Sequence, residues 1–413
     1  MRFTSNLAAA GILAAGSAAA AENYLGFNSG STLADRSAKF KADFKNEFTT
    51  AQALQGAPGK FNAVRLYTNI QAYSIADPIQ AFDAAIETNT KILLGIWTSG
   101  TASIDNEITA LKTAVTNLGD KFTNLVIGIS IGSEDLYRDS VTGITNKAGV
   151  GAGPKVIVDF INTYKKAVAG TKLENVPVGH VDTWDAWTNG TNKAVVDAID
   201  WVGVDEYPYY ENTKDNDIKN AGALFDAAYD ATIGAVGGKP VWVTETGWPT
   251  TGPNFGKSVP SVANAKTYWD EVGCRRLFGK TPTFWYNLRD SNPENTMKFA
   301  ITNNLSTQPL YNLTCPTTFN TPSTTAGGSS SSPASTGASV PSSSGAPNSS
   351  GGSNTGSTSN TSTTGGSSTS TTESGNGSNT TTSAPNPSKT SGAGKATVFA
   401  GLALLAGVVA ALF

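Results

Sequence analysis

The sequence predicts a parallel α/β fold, a (β/α)8 TIM barrel, followed by a disordered Ser/Thr-rich stalk. Three observations carry that prediction. Eight short apolar runs alternate with helix-like segments up to residue 291. Most of the runs are near-continuous Val, Ile, Leu and aromatic residues, as strands buried on both faces should be. After Pro316 the composition turns abruptly to Ser, Thr, Gly, Pro and Asn, which cannot bury a core. Alternating strands and helices give a parallel sheet, and eight strands at this length favour closure into a barrel. A doubly wound open sheet is the alternative. It usually carries a G-x-G-x-x-G loop after its first strand, and none follows the first run here.

The chain begins with a basic Arg2, an apolar stretch over 7–15 and a small-residue zone at 18–21. That is the pattern of a secretory signal over residues 1–21, with an ordinary amphipathic helix as the alternative. The barrel is expected over 22–316, with strands at 24–27, 63–67, 92–98, 125–131, 176–181, 201–207, 241–244 and 283–288. Between them, Phe40, Phe44 and Phe48 make one helical stripe. Asp77 and Pro78 form an N-cap and first-turn pair for a helix over 79–87. Ser103 opens the next helix, with Ile104, Ile108, Leu111, Val115 and Leu118 on one side and Gly119 closing it. Val156, Phe160, Ile161, Tyr164 and Val168 mark another, and later helices fall at 195–199, 218–233 and 261–277.

Net charge is −3 and only 15% of residues are charged. This argues against nucleic acid and anionic membrane surfaces as partners. Eight Trp, twelve Tyr and seventeen Phe supply both a large core and the rings on which sugar faces stack. His180 is the sole histidine, so a Ser-His-Asp triad would need it and a His-rich metal site is excluded. Cys274 and Cys315 are the only cysteines, and in an oxidising compartment they are expected to form one disulfide. The chemistry must run on carboxylates, hydroxyls and aromatics.

A parallel barrel places its site at the C-terminal ends of its strands. Two runs end in a glutamate. Residues 240–244 lead into Glu245, where Gly247 and Pro249 stop the strand, and residues 125–131 lead through Gly132 and Ser133 to Glu134. A buried carboxylate costs free energy unless it faces a cavity or a partner, although a surface glutamate at a turn is the plainer reading of Glu245. Two strand-end glutamates among aromatics fit glycoside hydrolysis, which needs a proton donor and a carboxylate facing the anomeric carbon. Glu134, above apolar strand residues, suits the acid. Glu245, given a hydroxyl donor such as Tyr207, suits the anion. Tyr67 and Tyr207 end strands and are candidates to face the sugar. Trp248 and Trp285 are candidates to stack on it, with packing as the alternative. Arg65 is expected to pair with a mouth carboxylate, Asp205 and Glu206 to be structural, and His180 to be packed.

The segments V-T-E-T-G-W-P (243–249), I-G-S-E-D-L-Y-R (131–138), V-R-L-Y (64–67) and D-E-Y-P-Y (205–209) resemble glycoside hydrolase family 17. The likeness extends to its fungal GPI-anchored endo-β-1,3-glucanases and covers residues 22 to 315. It implies Glu245 as nucleophile, Glu134 as acid/base, retention of configuration and a laminarin-like β-1,3-glucan substrate. Ser133 departs from the pattern. The wider clan has Asn there, touching the sugar 2-hydroxyl, so Ser133 is the candidate for that contact. A β-1,3-glucanosyltransferase and a non-catalytic glucan-binding wall mannoprotein are the alternative functions. No cofactor, metal or nucleic acid is called for, and a monomer is expected.

Residues 317–390 read as an O-glycosylated stalk, with a naked flexible linker as the alternative. Asn-x-Ser/Thr acceptors stand at Asn189, Asn304 and Asn312, and in the stalk at Asn348, Asn360, Asn376 and Asn379. Residues 391–413 end in an uncharged apolar run behind small residues and a polar spacer. That is the pattern of a GPI-attachment signal, with Ser388 as the candidate lipid-bearing residue and a transmembrane anchor as the alternative. A secreted, cell-surface protein anchored to membrane or wall is therefore expected.

Overall fold

The computed structural model describes residues 23–292 and 295–319. The signal, most of the stalk, the tail, Asn348, Asn360, Asn376, Asn379 and Ser388 lie outside the described residues. The chain runs through β1 (Leu25–Ser29), α1 (Lys41–Gln52), β2 (Ala63–Leu66), α2 (Ala81–Thr88), β3 (Lys91–Ile96), α3 (Asp105–Leu118), α4 (Asp120–Thr123) and β4 (Val126–Ser133). It continues through α5 (Asp135–Asp139), α6 (Val141–Thr145), α7 (Pro154–Val168), β5 (Val178–Thr183), α8 (Trp184–Thr188), α9 (Lys193–Ala198) and β6 (Trp201–Asp205). Last come α10 (Ile218–Ala235), β7 (Val241–Glu245), α11 (Val262–Tyr268), a π-helical stretch (Trp269–Leu277) and β8 (Thr283–Trp285). The eight strands pair in sequence order, all parallel, and β8 closes on β1. The open-sheet alternative is thereby excluded.

Side chains alternate along each strand, and the two faces pack differently. Inside the barrel, Ala63, Leu93, Val181, Trp201, Trp242 and Phe284 form one buried cluster. The Trp201 and Trp242 rings stack there with centroids 4.4 Å apart. Gly179 makes room for them, since a Cβ at that position would lie 2.3 Å from the Trp201 ring. The outward faces pack on the helices in a larger aromatic-rich core. Cys274 and Cys315 are disulfide-bonded, tying the π-helical stretch to the segment that follows the barrel. Phe319, expected in the stalk, packs against that core.

Several element ends differ from expectation. Strand β4 runs on to Ser133, while β2, β6 and β8 stop one, two and three residues short of their apolar runs. An apolar run marks burial, and burial continues past the last ladder bond. Asp77 and Pro78 do not open a helix. The Asp77 carbonyl accepts from Gln71 N–H and Pro78 forms a bridge with Ile70, so α2 begins only at Ala81. Phe40 and Val156 fall off their stripes. Phe40 precedes α1 and is 53% exposed, and Ile157 takes the inward position expected of Val156.

Candidate active site

Glu245 is the last residue of β7, and the ladder is irregular there. Val204 of β6 pairs with Val243, but Asp205 pairs with Glu245, one residue further on. Such a bulge re-aims side chains. Thr244 keeps its hydroxyl on Asp205, donating at 2.6 Å, and Glu245 reaches Arg65 of β2. The Arg65 Nη1 donates to Glu245 Oε1 at 2.7 Å, Tyr67 OH to the same oxygen at 2.5 Å, and Tyr207 OH to Oε2 at 2.8 Å. Glu245 is 1% exposed. Three donors, one of them cationic, stabilise negative charge on its two oxygens. Gly247 allows the turn behind it, because a Cβ there would lie 2.1 Å from the Tyr286 carbonyl oxygen.

Glu134 sits just past β4, which shows a second irregularity. Ser130 pairs with Gly179, and Ser133 pairs with Val181. Gly132 (φ 89°) and Glu134 (φ 56°) are both left-handed. For a glutamate that conformation costs on the order of 1 kcal/mol or more and persists only where neighbours impose it. Two buried aspartates do so. Asp135 accepts from Ser133 N–H at 2.9 Å and from the Thr98 and Ser99 hydroxyls, each at 2.7 Å. Asp182 accepts from Leu136 N–H at 2.8 Å and Tyr137 N–H at 3.1 Å. His180 is wholly buried, with Nδ1 2.5 Å from the Ile131 carbonyl and Nε2 3.0 Å from Asp182. It belongs to this brace.

Burial pushes the Glu134 carboxyl up to about 7; Arg138 and Arg65 oppose the rise, and Glu245 and Asp182 add to it. A group in that range is still substantially protonated near neutrality, as a general acid must be. Asp205 is likewise pushed up, by burial and then by Glu245.

Glu134 and Glu245 line one cleft that is open to solvent. Tyr207, Tyr210, Tyr286 and Phe299 line it with them. Neither of the two expected stacking residues is there. Trp248 is 2% exposed, packs beside Tyr209 and Tyr268, and donates its indole N–H to the Val259 carbonyl. Trp285 is 1% exposed and packs on Trp269 and Phe278 in the helix layer. Its neighbour Phe284 takes the inward face of β8. Ser133 is buried and its hydroxyl accepts from Arg65 Nη2 at 2.9 Å, so it steadies the guanidinium. Asn189, Asn304 and Asn312 are exposed. The aromatic walls Tyr210 and Tyr286, and Arg138 beneath Glu134, were not singled out from sequence. For Arg138 the signal was its spacing, four residues after Glu134 and so one helical turn away.

A closed parallel barrel presenting a raised carboxylic acid and a donor-ringed carboxylate in one aromatic cleft is the architecture of a glycoside hydrolase. The chain belongs to the BtgE/BtgC glycoside hydrolase family, whose model matches residues 26–303. It is 51% identical over 317 residues to a probable glucan endo-1,3-beta-glucosidase of Aspergillus fumigatus, covering 76% of this chain and 70% of that one. It is 30% identical to a glucan 1,3-beta-glucosidase of Saccharomyces cerevisiae, over 66% of this chain and 84% of that one. Among solved structures, it superposes on a glycoside hydrolase family 17 beta-1,3-glucanosyltransferase from Rhizomucor miehei. There the TM-score is 0.56 and the identity 25%, covering 71% of this chain and all of that one.

Proposed function

We propose that this enzyme cleaves β-1,3-glucan internally with retention of configuration. The carboxylate of Glu245 attacks the anomeric carbon, the bond to the leaving oxygen breaks, and Glu134 gives that oxygen its proton. Water then attacks the glycosyl-enzyme, gives a proton to Glu134, and releases Glu245. The observation that carries this reading is the contrast between the two environments. Arg65, Tyr67 and Tyr207 converge on Glu245, while burial raises Glu134. The intact pair speaks for catalysis and against a wall protein that only binds glucan. The relatives' names support β-1,3-glucan as substrate. The test is reducing-end release from laminarin, with the anomer of the first product followed by NMR. The wild type should release β-anomers, and Glu245→Gln should lose at least about 10³-fold in kcat. Release of α-anomers, or equal rates for the two proteins, overturns the assignment.

A second reading is transfer to another glucan chain, in which a sugar hydroxyl replaces water in the second step. It is favoured by two Rhizomucor miehei structures described as β-1,3-glucanosyltransferases, each 25% identical to this chain. Products longer than a defined oligosaccharide substrate would establish it. The ends of the sequence support a secreted glycoprotein held at the cell surface by a GPI lipid, acting on wall glucan. Release from cells by a phosphatidylinositol-specific phospholipase C tests that placement, and retention after treatment would overturn it.

A further inference from the structure

The ladder between β4 and β5 gives Ile131 and Gly132 no register partner, and His180 of β5 lies opposite that gap. Its wholly buried ring fills it. Nδ1 is 2.5 Å from the Ile131 carbonyl oxygen, and Nε2 is 3.0 Å from Asp182 Oδ2. A Cβ on Gly132 would lie 2.5 Å from Asp135 Oδ2 and 2.9 Å from His180 Cε1, so that carboxylate and the ring meet across Gly132. From α8 the Trp187 ring stands edge-on, with centroids 5.6 Å apart. Its indole N–H donates elsewhere, to the Gly203 carbonyl.

Both ring nitrogens therefore face acceptors. A carbonyl oxygen has no proton to give. Asp182 gives none either, since its oxygens already accept from the N–H groups of Leu136, Tyr137 and Thr183 at 2.8, 3.1 and 2.9 Å. A neutral imidazole carries one N–H and one bare nitrogen, which here would set two lone pairs against each other. Both contacts are hydrogen bonds only if both nitrogens carry hydrogen, which makes the ring an imidazolium. A buried cation persists only beside opposite charge, and Asp182 and Asp135 supply it. Burial lowers the imidazole, Asp182 and then Asp135 and the Ile131 carbonyl raise it, and the balance is upward. In return His180 opposes the rise that burial gives Asp135.

We propose that His180 is held as an imidazolium at neutral pH and positions Glu134, gripping the Ile131 carbonyl before the turn and the Asp182 carboxylate behind it. The route to Glu134 is short. Glu134 N–H donates to the Val181 carbonyl at 2.8 Å, beside His180 on the same strand. Asp182 holds the two N–H groups that follow Asp135. A neutral ring would give up one grip on a turn in which Gly132 and Glu134 are both left-handed. His180 does not line the cleft, so it acts through Glu134 and passes no proton to substrate. The role rests on the assignment of Glu134 above.

A sole histidine makes the charge directly readable. The full chain, purified without a polyhistidine tag and isotope-labelled in histidine nitrogen, gives one imidazole to observe by NMR. At about pH 7.5 an ordinary imidazole of pKa about 6.5 is roughly nine-tenths neutral. His180 should there carry a proton on each nitrogen, and one bare nitrogen overturns the proposal. His180→Gln keeps a side-chain N–H without the charge, and His180→Phe keeps neither. In the folded variants kcat on laminarin should fall on the order of 10- to 100-fold, further for Phe than for Gln, with KM within about twofold. With the cation gone, Asp182 acts on Glu134 unopposed while Arg138, Arg65 and Glu245 still face it, so the alkaline limb of kcat/KM should move to higher pH. A lower melting temperature with kcat and limb unchanged marks a residue that only packs, and overturns the positioning role. Asp182→Asn serves if neither variant folds, since it keeps the shape and removes the counter-charge. The ring should then lose its second proton at the same pH and kcat should fall with it; loss of the proton at wild-type kcat also overturns the role. A wild type inert on laminarin with both ring protons in place instead sinks the function assigned above.

Discussion

Arg138 donates to Glu134 Oε2 at 2.9 Å from one helical turn further along the chain, so the carboxyl that burial raises leans on a cation. The guanidinium is itself fixed by the Ser133 carbonyl at 2.5 Å and the Ser99 hydroxyl at 2.9 Å. An arginine favours the charged form of its carboxylate. It therefore works against Glu134 as an acid and supports it as the base of the second step.

The pH profile should report this. Glu134 must be protonated to act in the first step, so the alkaline limb of kcat/KM is expected near its raised value of about 7. Removing Arg138 removes a lowering influence, while Arg65, Glu245 and Asp182 still face the carboxyl. In Arg138→Met the limb should move to higher pH by about one unit. An unmoved limb in a folded variant would show that Arg138 does not act through Glu134.

Tyr67 and Tyr207 each give one hydrogen bond to the proposed nucleophile. Tyr67→Phe and Tyr207→Phe should each lower kcat by about 10- to 100-fold while leaving the melting temperature within a few degrees. The double variant is expected to lose less than the product of the two losses, because both act on one carboxylate. Wild-type kcat in either single variant would contradict the placement.

Trp285 offers a test of packing against sugar stacking. Trp285→Ala should destabilise the fold by about 3–5 kcal/mol, as large core truncations do, and the folded fraction should keep its KM for laminarin. A stacking role would give the reverse, a higher KM at nearly unchanged stability. Thermal melts and substrate titration of the same sample distinguish them.

The disulfide closes a loop between residues 41 apart in sequence. On the chain-entropy account such a loop contributes about 4 kcal/mol. Cys274→Ser with Cys315→Ser should lower the denaturation midpoint accordingly, with little change in kcat, since neither cysteine lines the catalytic cleft. An unchanged midpoint would assign the bond no stabilising role.

The sequence made the barrel legible because its strands are buried on both faces and read as unbroken apolar runs. Glu134 and Glu245 were legible because each interrupts such a run, and Gly247 and Pro249 mark where the second one stops. The orientation of single side chains was not legible. Trp285 and Tyr286 are neighbours at one strand end, yet the first packs among helices and the second lines the cleft. Composition carries no sign of which face a residue takes. The register shifts before Ser133 and Glu245 were equally invisible, because a bulge depends on the pairing partner. Arg138 was visible only as a spacing.

The covalent tie between Cys274 and Cys315 also fixes a direction. Asn23, Lys60 and Lys91, at or just before the starts of the first three strands, lie around that bond, whereas the glutamates stand at strand ends. A chain held on a bead through the segment at Cys315 is therefore held by its floor. Its mouth points outward, so an immobilised preparation meets long, insoluble polymer without the support in the way.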